Sequence, residues 1–238
     1  DVGGHCAYLS TSSTGRGKKK SPGVQVVDAS NPSKPLLTQA LATRAFELGT
    51  WESLKVNEAG TMLAGAGVGT LLGAGKLDLY DITDCAHPRL LNRADTGDSL
   101  PVTNVAHEGE WSPDGKTYWT SGLAGGTLSA IDVSNPAQPK NIYFGGSSIF
   151  VNHGMSFNAD GTRMYLASIF PAGMVILDVS DIQYRKATNR RVKQIARITW
   201  QDGSTTQRAV PVTIKGRPYL IAIDEVGAQG LGGGIRFI

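Results

Sequence analysis

Short runs of alternating apolar and polar residues, broken by Gly, Pro, Asn and Asp, fill this chain. Val24-Gln25-Val26-Val27-Asp28 is one such run. Leu77-Asp78-Leu79-Tyr80-Asp81, Leu128-Ser129-Ala130-Ile131-Asp132 and Met174-Val175-Ile176-Leu177-Asp178 repeat it. A two-residue period bounded by turn residues predicts half-buried β-strands. The closing aspartates stand 53, 51 and 46 residues apart. A period of about 40–50 residues filled with short strands predicts an all-β chain folded as a β-propeller of four-stranded antiparallel blades.

Residues 107–144 show the layout of one repeat. His107-Glu108-Gly109-Glu110-Trp111-Ser112 leads into a Pro113-Asp114-Gly115 turn. Thr117–Ser121, rich in β-branched and aromatic residues, predicts a second strand, and Thr127–Asp132 a third. Pro136 and Pro139 then close the corner, and Asn141–Phe144 reads as the fourth strand. The turn glycine recurs at Gly60, Gly115, Gly161 and Gly216. Glycine accepts the positive φ that such turns need. The Asp of each Asp-x-Ser/Thr phrase can bond to an amide two residues on, so these four aspartates read as structural.

On this register residues 1–238 form one propeller domain. It comprises a partial blade over 1–50, blades over about 51–104, 105–150 and 151–200, and a partial blade over 201–238. Gly4–Ser10 reads as the second strand of its blade, with the first expected before Asp1. Gly234–Phe237 parallels Gly23–Val27 and leads toward another corner. The expectation is an incomplete ring, closed by about one to three blades from the rest of a longer chain; an open or domain-swapped assembly is the alternative.

The four phrases, with Asn-Pro-x-x-Pro tails at Asn31–Pro35 and Asn135–Pro139, resemble the LVIVD-repeat family of secreted or surface bacterial β-propellers. The second copy departs from the pattern at Asp84-Cys85-Ala86-His87-Pro88. The fourth lacks the prolines and runs into a basic insertion. The resemblance implies a propeller exported from the cytoplasm, placed outside the cell, on its surface or in the periplasm. It implies no catalytic residue. An exported protein could join its two cysteines, Cys6 and Cys85, into a disulfide stapling adjacent blades; two separate buried thiols are the alternative.

Composition adds exclusions. No stretch approaches the roughly 18 apolar residues of a membrane span. The net charge of +3 is mild. Its basic runs, Arg16–Lys20 and Arg185–Lys193, could attract anions, but no aromatic residues interleave with them, which argues against nucleic acid. They read as solvated loops. The Gly-rich pieces Gly65–Gly67 and Gly230–Gly234 read as inter-strand segments without a following helix, which makes a poor dinucleotide or phosphate loop. No Gly-x-Ser-x-Gly, Cys–His or His-Glu-x-x-His arrangement assigns a catalytic residue.

The candidate chemistry comes from counting back eight residues from each turn glycine. The count reaches Glu52, His107, His153 and Arg208 at the start of the strand that lines a propeller channel. These four should ring one mouth. Two imidazoles and a carboxylate suit a single Zn, Cu or Fe ion. Glu108 and Glu110 could add a ligand or an outer acceptor, and Glu225 is a further candidate. Arg208 opposes a cation and could hold an anion bidentately instead. The alternative is a polar, water-filled mouth without metal. Two functions follow. One is a binding or scaffold module for a protein or glycan partner; the other is a metal-dependent oxidoreductase or hydrolase working at the ring.

Overall fold

The computed structural model describes residues 1–10, 22–67, 75–92, 100–102, 106–122, 125–146, 151–227 and 232–238. The basic run Arg16–Lys20 lies outside them, as do Gly230 and Leu231. Five antiparallel sheets follow one another in chain order. The third consists of Glu108–Trp111, Thr117–Ser121, Thr127–Asp132 and Lys140–Gly146, and the fourth of Val151–Phe157, Arg163–Phe170, Gly173–Asp178 and Lys193–Thr199. In each sheet the first strands follow one another as neighbours, and the second sheet alone departs from this order, at its outer edge; this is the layout of a propeller blade. Each corner Asp (Asp28, Asp81, Asp132, Asp178) is the last residue of its sheet's third strand.

The pattern of burial explains the stacking. Thr117–Ser121 is buried along its whole length. Alternate side chains leave a strand on opposite faces. Here Tyr118 packs with Ala64, Leu77 and Leu79 of the second sheet, while Trp119 packs with Met155, Met164 and Leu166 of the fourth. Apolar layers of this kind separate each sheet from the next, the first and second being joined through Tyr8, Val24, Val26, Leu63 and Ile82. The outer strand Lys193–Thr199 is exposed throughout, so the core lies between blades and not within them.

Three details depart from the sequence reading. The first sheet has four strands, because Val2–Gly3 pairs with Cys6–Leu9 through a tight turn at Gly4, whose φ is +59°. The innermost strand therefore lies within the chain and not before Asp1. In the second sheet the outer position is shared by Arg89–Leu90 and Leu100–Pro101, which both pair with Lys76–Asp81. Gly65–Gly67 is not an inter-strand segment: it lies in the strand Met62–Gly67. The short helix Arg44–Glu47 packs there, and a Cβ on Gly65 would come within 2.8 Å of Phe46 and Thr50.

Cys6 and Cys85 form a disulfide across 79 residues, joining a strand of the first sheet to the corner of the second. The basic insertion is partly consumed by structure. Arg185 donates to Lys116 O at 2.8 Å, to Thr117 Oγ1 at 2.8 Å and to Asp132 Oδ1 at 3.2 Å, tying the fourth sheet to the third. Among the described residues no helix is long and apolar enough to cross a membrane.

Candidate metal centre at the channel mouth

The innermost strands of the second to fifth sheets lie side by side, and Glu52, just ahead of the strand Lys55–Val56, forms a parallel bridge to Glu108 of the third sheet. The Glu52 turn is anchored from the third sheet. Tyr118 donates its hydroxyl to Ser53 O, and the Trp111 indole donates to Lys55 O at 2.9 Å. His107 immediately precedes Glu108–Trp111. His153 lies in Val151–Phe157 at an irregularity where pairing skips from Asn152 to Met155. A bulge of this sort redirects a side chain. It also brings the backbones close: a Cβ on Gly154 would stand 2.5 Å from Gln207 O.

Three ligand atoms converge here. Glu52 Oε2 lies 2.9 Å from His107 Nε2 and 3.5 Å from His153 Nε2, and the two Nε2 atoms are 3.1 Å apart. Donors about 2.0–2.1 Å from a tetrahedral zinc ion stand about 3.3 Å from one another. The triangle has that size. Both histidines are buried. Despite the short approach to His107, Glu52 Oε2 makes no aligned hydrogen bond; proximity, and not a satisfied bond, characterises the contact. His153 Nδ1 lies 3.2 Å from Gln207 O. A carbonyl only accepts, so Nδ1 carries the hydrogen and Nε2 presents its lone pair to the triangle.

The electrostatics favour a cation. Polar contact with His107 holds the Glu52 carboxyl at about 2, against the opposing effect of burial. Burial pushes His153 down, which keeps its ring neutral and able to ligate. Burial drives Glu108 up to about 8, although the Lys55 charge pulls it the other way. Glu108 is thus a neutral acid at pH 7, its Oε1 accepting from Gln207 Nε2 at 3.2 Å.

The remaining candidates fall around this triangle. Glu225 Oε2 is 3.8 Å from His153 Nε2 and half-exposed, a carboxylate at the rim. Glu108 Oε1 is 3.9 Å from His153 Nδ1, on the far side of that ring from the triangle. Arg208 does not join the ring as the count of eight predicts. It pairs with Glu110, so the two neutralise each other. Pairing in the fifth sheet skips from Thr206 to Arg208, and the bulged residue, Gln207, faces the site instead: its amide also donates to Glu52 Oε1 at 3.0 Å. Counting cannot foresee a bulge. Trp51 was also missed. It edges onto His107 with ring centroids 5.2 Å apart and has a φ of +42°, a conformation its identity does not announce. A cavity of about 310 Å³ opens beside the triangle, lined by Trp51, Glu52, Lys55, Glu108, Gln207 and Arg208 among others. His5 adjoins Cys6 and Cys85, but both sulfurs are committed to the disulfide.

The LVIVD repeat family matches this chain at residues 20–43 and 123–142, two of the four phrases read from the sequence. No curated protein matches it. Among solved structures it is similar to a Bacteroides uniformis protein with a provisional 6-phosphogluconolactonase assignment (13% identity, TM-score 0.66, 98% of this chain and 66% of that one). It is similar also to a periplasmic gluconolactonase of Pseudomonas aeruginosa (13%, 0.62, 99% and 70%) and to hydrazine synthase of Kuenenia stuttgartiensis (14%, 0.57, 99% and 69%). The chain thus spans about two thirds of the length of each. At such identities the likeness establishes the β-propeller fold alone.

Proposed function

We propose that this chain is an exported β-propeller whose channel mouth holds one transition-metal ion on Glu52, His107 and His153 and uses it for a hydrolytic reaction. The observation that carries the reading is the triangle of one carboxylate oxygen and two imidazole nitrogens with edges of 2.9, 3.1 and 3.5 Å. Three protein ligands with an adjoining cavity are the arrangement of a catalytic site, whereas structural zinc sites are closed by four. When bound, zinc there would act as a Lewis acid and bring a water's pKa to about 7. The residues supply the rest. Gln207 orients the Glu52 carboxylate through its other oxygen. The Gln207 carbonyl fixes the His153 tautomer. Glu108, whose carboxyl burial pushes up and which lines the adjoining cavity, is placed to exchange a proton there. The disulfide and the LVIVD repeats support an exported location, and the gluconolactonase neighbours support hydrolysis as the reaction class.

Zinc titration calorimetry tests the reading. About one ion per chain is expected, with affinity reduced at least about 100-fold in His107→Ala and in His153→Ala, beyond the 10–100-fold typical of residues outside the ligand shell. Equal affinity in the variants would remove the site, and capture of a protein or glycan partner by a metal-free mouth would restore the binding-module reading.

A further inference from the structure

Eight buried side-chain polar atoms lack a hydrogen-bond partner among the described residues, and four of them belong to wall residues of one cavity. They are Trp51 Nε1, Glu52 Oε2, Glu108 Oε2 and Gln207 Oε1. Native interiors leave few such atoms, and each asks for an explanation. Glu52 Oε2 belongs to the metal triangle. The other three form a separate set: an indole N–H donor, an amide oxygen acceptor and a carboxyl oxygen. Neither a cation nor an anion satisfies all three. A hydroxyl group does, since it both donates and accepts.

Trp51 strengthens the case. A bulky residue in the left-handed region is an outlier, and such strain persists only where the surroundings impose it, commonly at ligand sites. The distortion places an aromatic ring at the cavity wall next to His107. The cavity, about 310 Å³, is at the small end of the roughly 300–1,000 Å³ of small-molecule sites. That size admits one saturated ring. Lys55, also in the wall, makes no ion pair among the described residues, so an acidic substituent is tolerated.

We propose that the mouth cavity takes a monosaccharide-sized polyhydroxy compound against Trp51, with its hydroxyls on the Trp51 N–H, Gln207 and Glu108. The proposal rests on the reading of this cavity as the substrate side of the metal triangle. The test is calorimetric titration of the full chain with D-gluconate and with D-glucose, each with and without zinc. Saturable binding of either compound is expected, weakened about tenfold (about 1.4 kcal/mol) in Trp51→Ala and less in Trp51→Phe, which keeps the ring and loses the donor. Zinc affinity should fall far less in both variants than in His107→Ala, by at most about tenfold, which separates ligand recognition from loss of the triangle. Binding of gluconate alone would support the proposal with a carboxylate requirement added through Lys55 or the metal. Binding of neither compound overturns it, as does gluconate binding that needs zinc and is unchanged in Trp51→Ala, since coordination by the ion alone would explain that. If zinc fails to bind but a Trp51-dependent titration persists, the metal reading falls and the sugar site stands.

Discussion

The corners of the blades and the mouth of the channel are both built from equivalent positions of one repeat, yet they differ in kind. At the corners the same residue recurs and makes the same bond. Asp28, Asp81, Asp132 and Asp178 each accept the amide two residues on, at 2.8, 2.9, 3.0 and 3.0 Å. At the mouth the equivalent positions carry Glu52, His107, His153 and Arg208, four contributions of three chemistries, and half of the unpartnered buried side-chain polar atoms among the described residues belong to the cavity wall there. A repeat that needs only a tight turn keeps one answer and satisfies it within the chain. A repeat position turned toward a shared axis is free to diversify, and its polar groups are left for something outside the chain to satisfy.

The contrast can be broken by measurement. The largest effect on folding belongs to the corner of the second sheet, where Cys85 is stapled to Cys6. Closing a loop of that length stabilises by about 2–5 kcal/mol, so the Cys6→Ser/Cys85→Ser double variant should lose that much in denaturant melts. The ring variants His107→Ala and His153→Ala should act oppositely, losing metal while leaving the melting temperature within a few degrees of the parent in chelator.

A smaller effect separates the two mouth carboxylates in metal-free protein. The Glu108 value of about 8 lies above the ordinary carboxylate range. The folded state therefore holds a proton that the unfolded chain releases, and stability falls as pH rises from about 4.5 to 8. Glu52, held at about 2, works the other way: its contribution is present above about 4.5 and is lost as pH falls toward 2. Glu108→Gln should abolish the alkaline loss and leave the acid limb intact, raising the melting temperature at pH 8.5 by about 2–4 °C per kcal/mol recovered. The smallest effect is Asp132→Ala, which removes a corner bond worth about 0.5–1.5 kcal/mol and the Arg185 contact. It should lower stability without changing metal affinity.

How much was legible follows from which forces are local. Thr117–Ser121 and Thr127–Asp132 were read to the residue because alternation and turn chemistry lie within the segment. All four turn glycines have the positive φ expected of them. The meeting of Glu52, His107 and His153 was reached by counting, because the repeats keep register up to the first strand. Counting failed at Arg208, where a bulge puts Gln207 in its place. It also had no means of finding Trp51, whose strained backbone is imposed by its neighbours. Bulges and strain are settled between blades, so a local pattern does not encode them.

The most direct test of the central claim is elemental mass spectrometry of the protein purified from its natural source without chelators. The account predicts about one transition-metal ion per chain, lost when His107 and His153 are both replaced by alanine. A protein free of metal that binds none on reconstitution would contradict it.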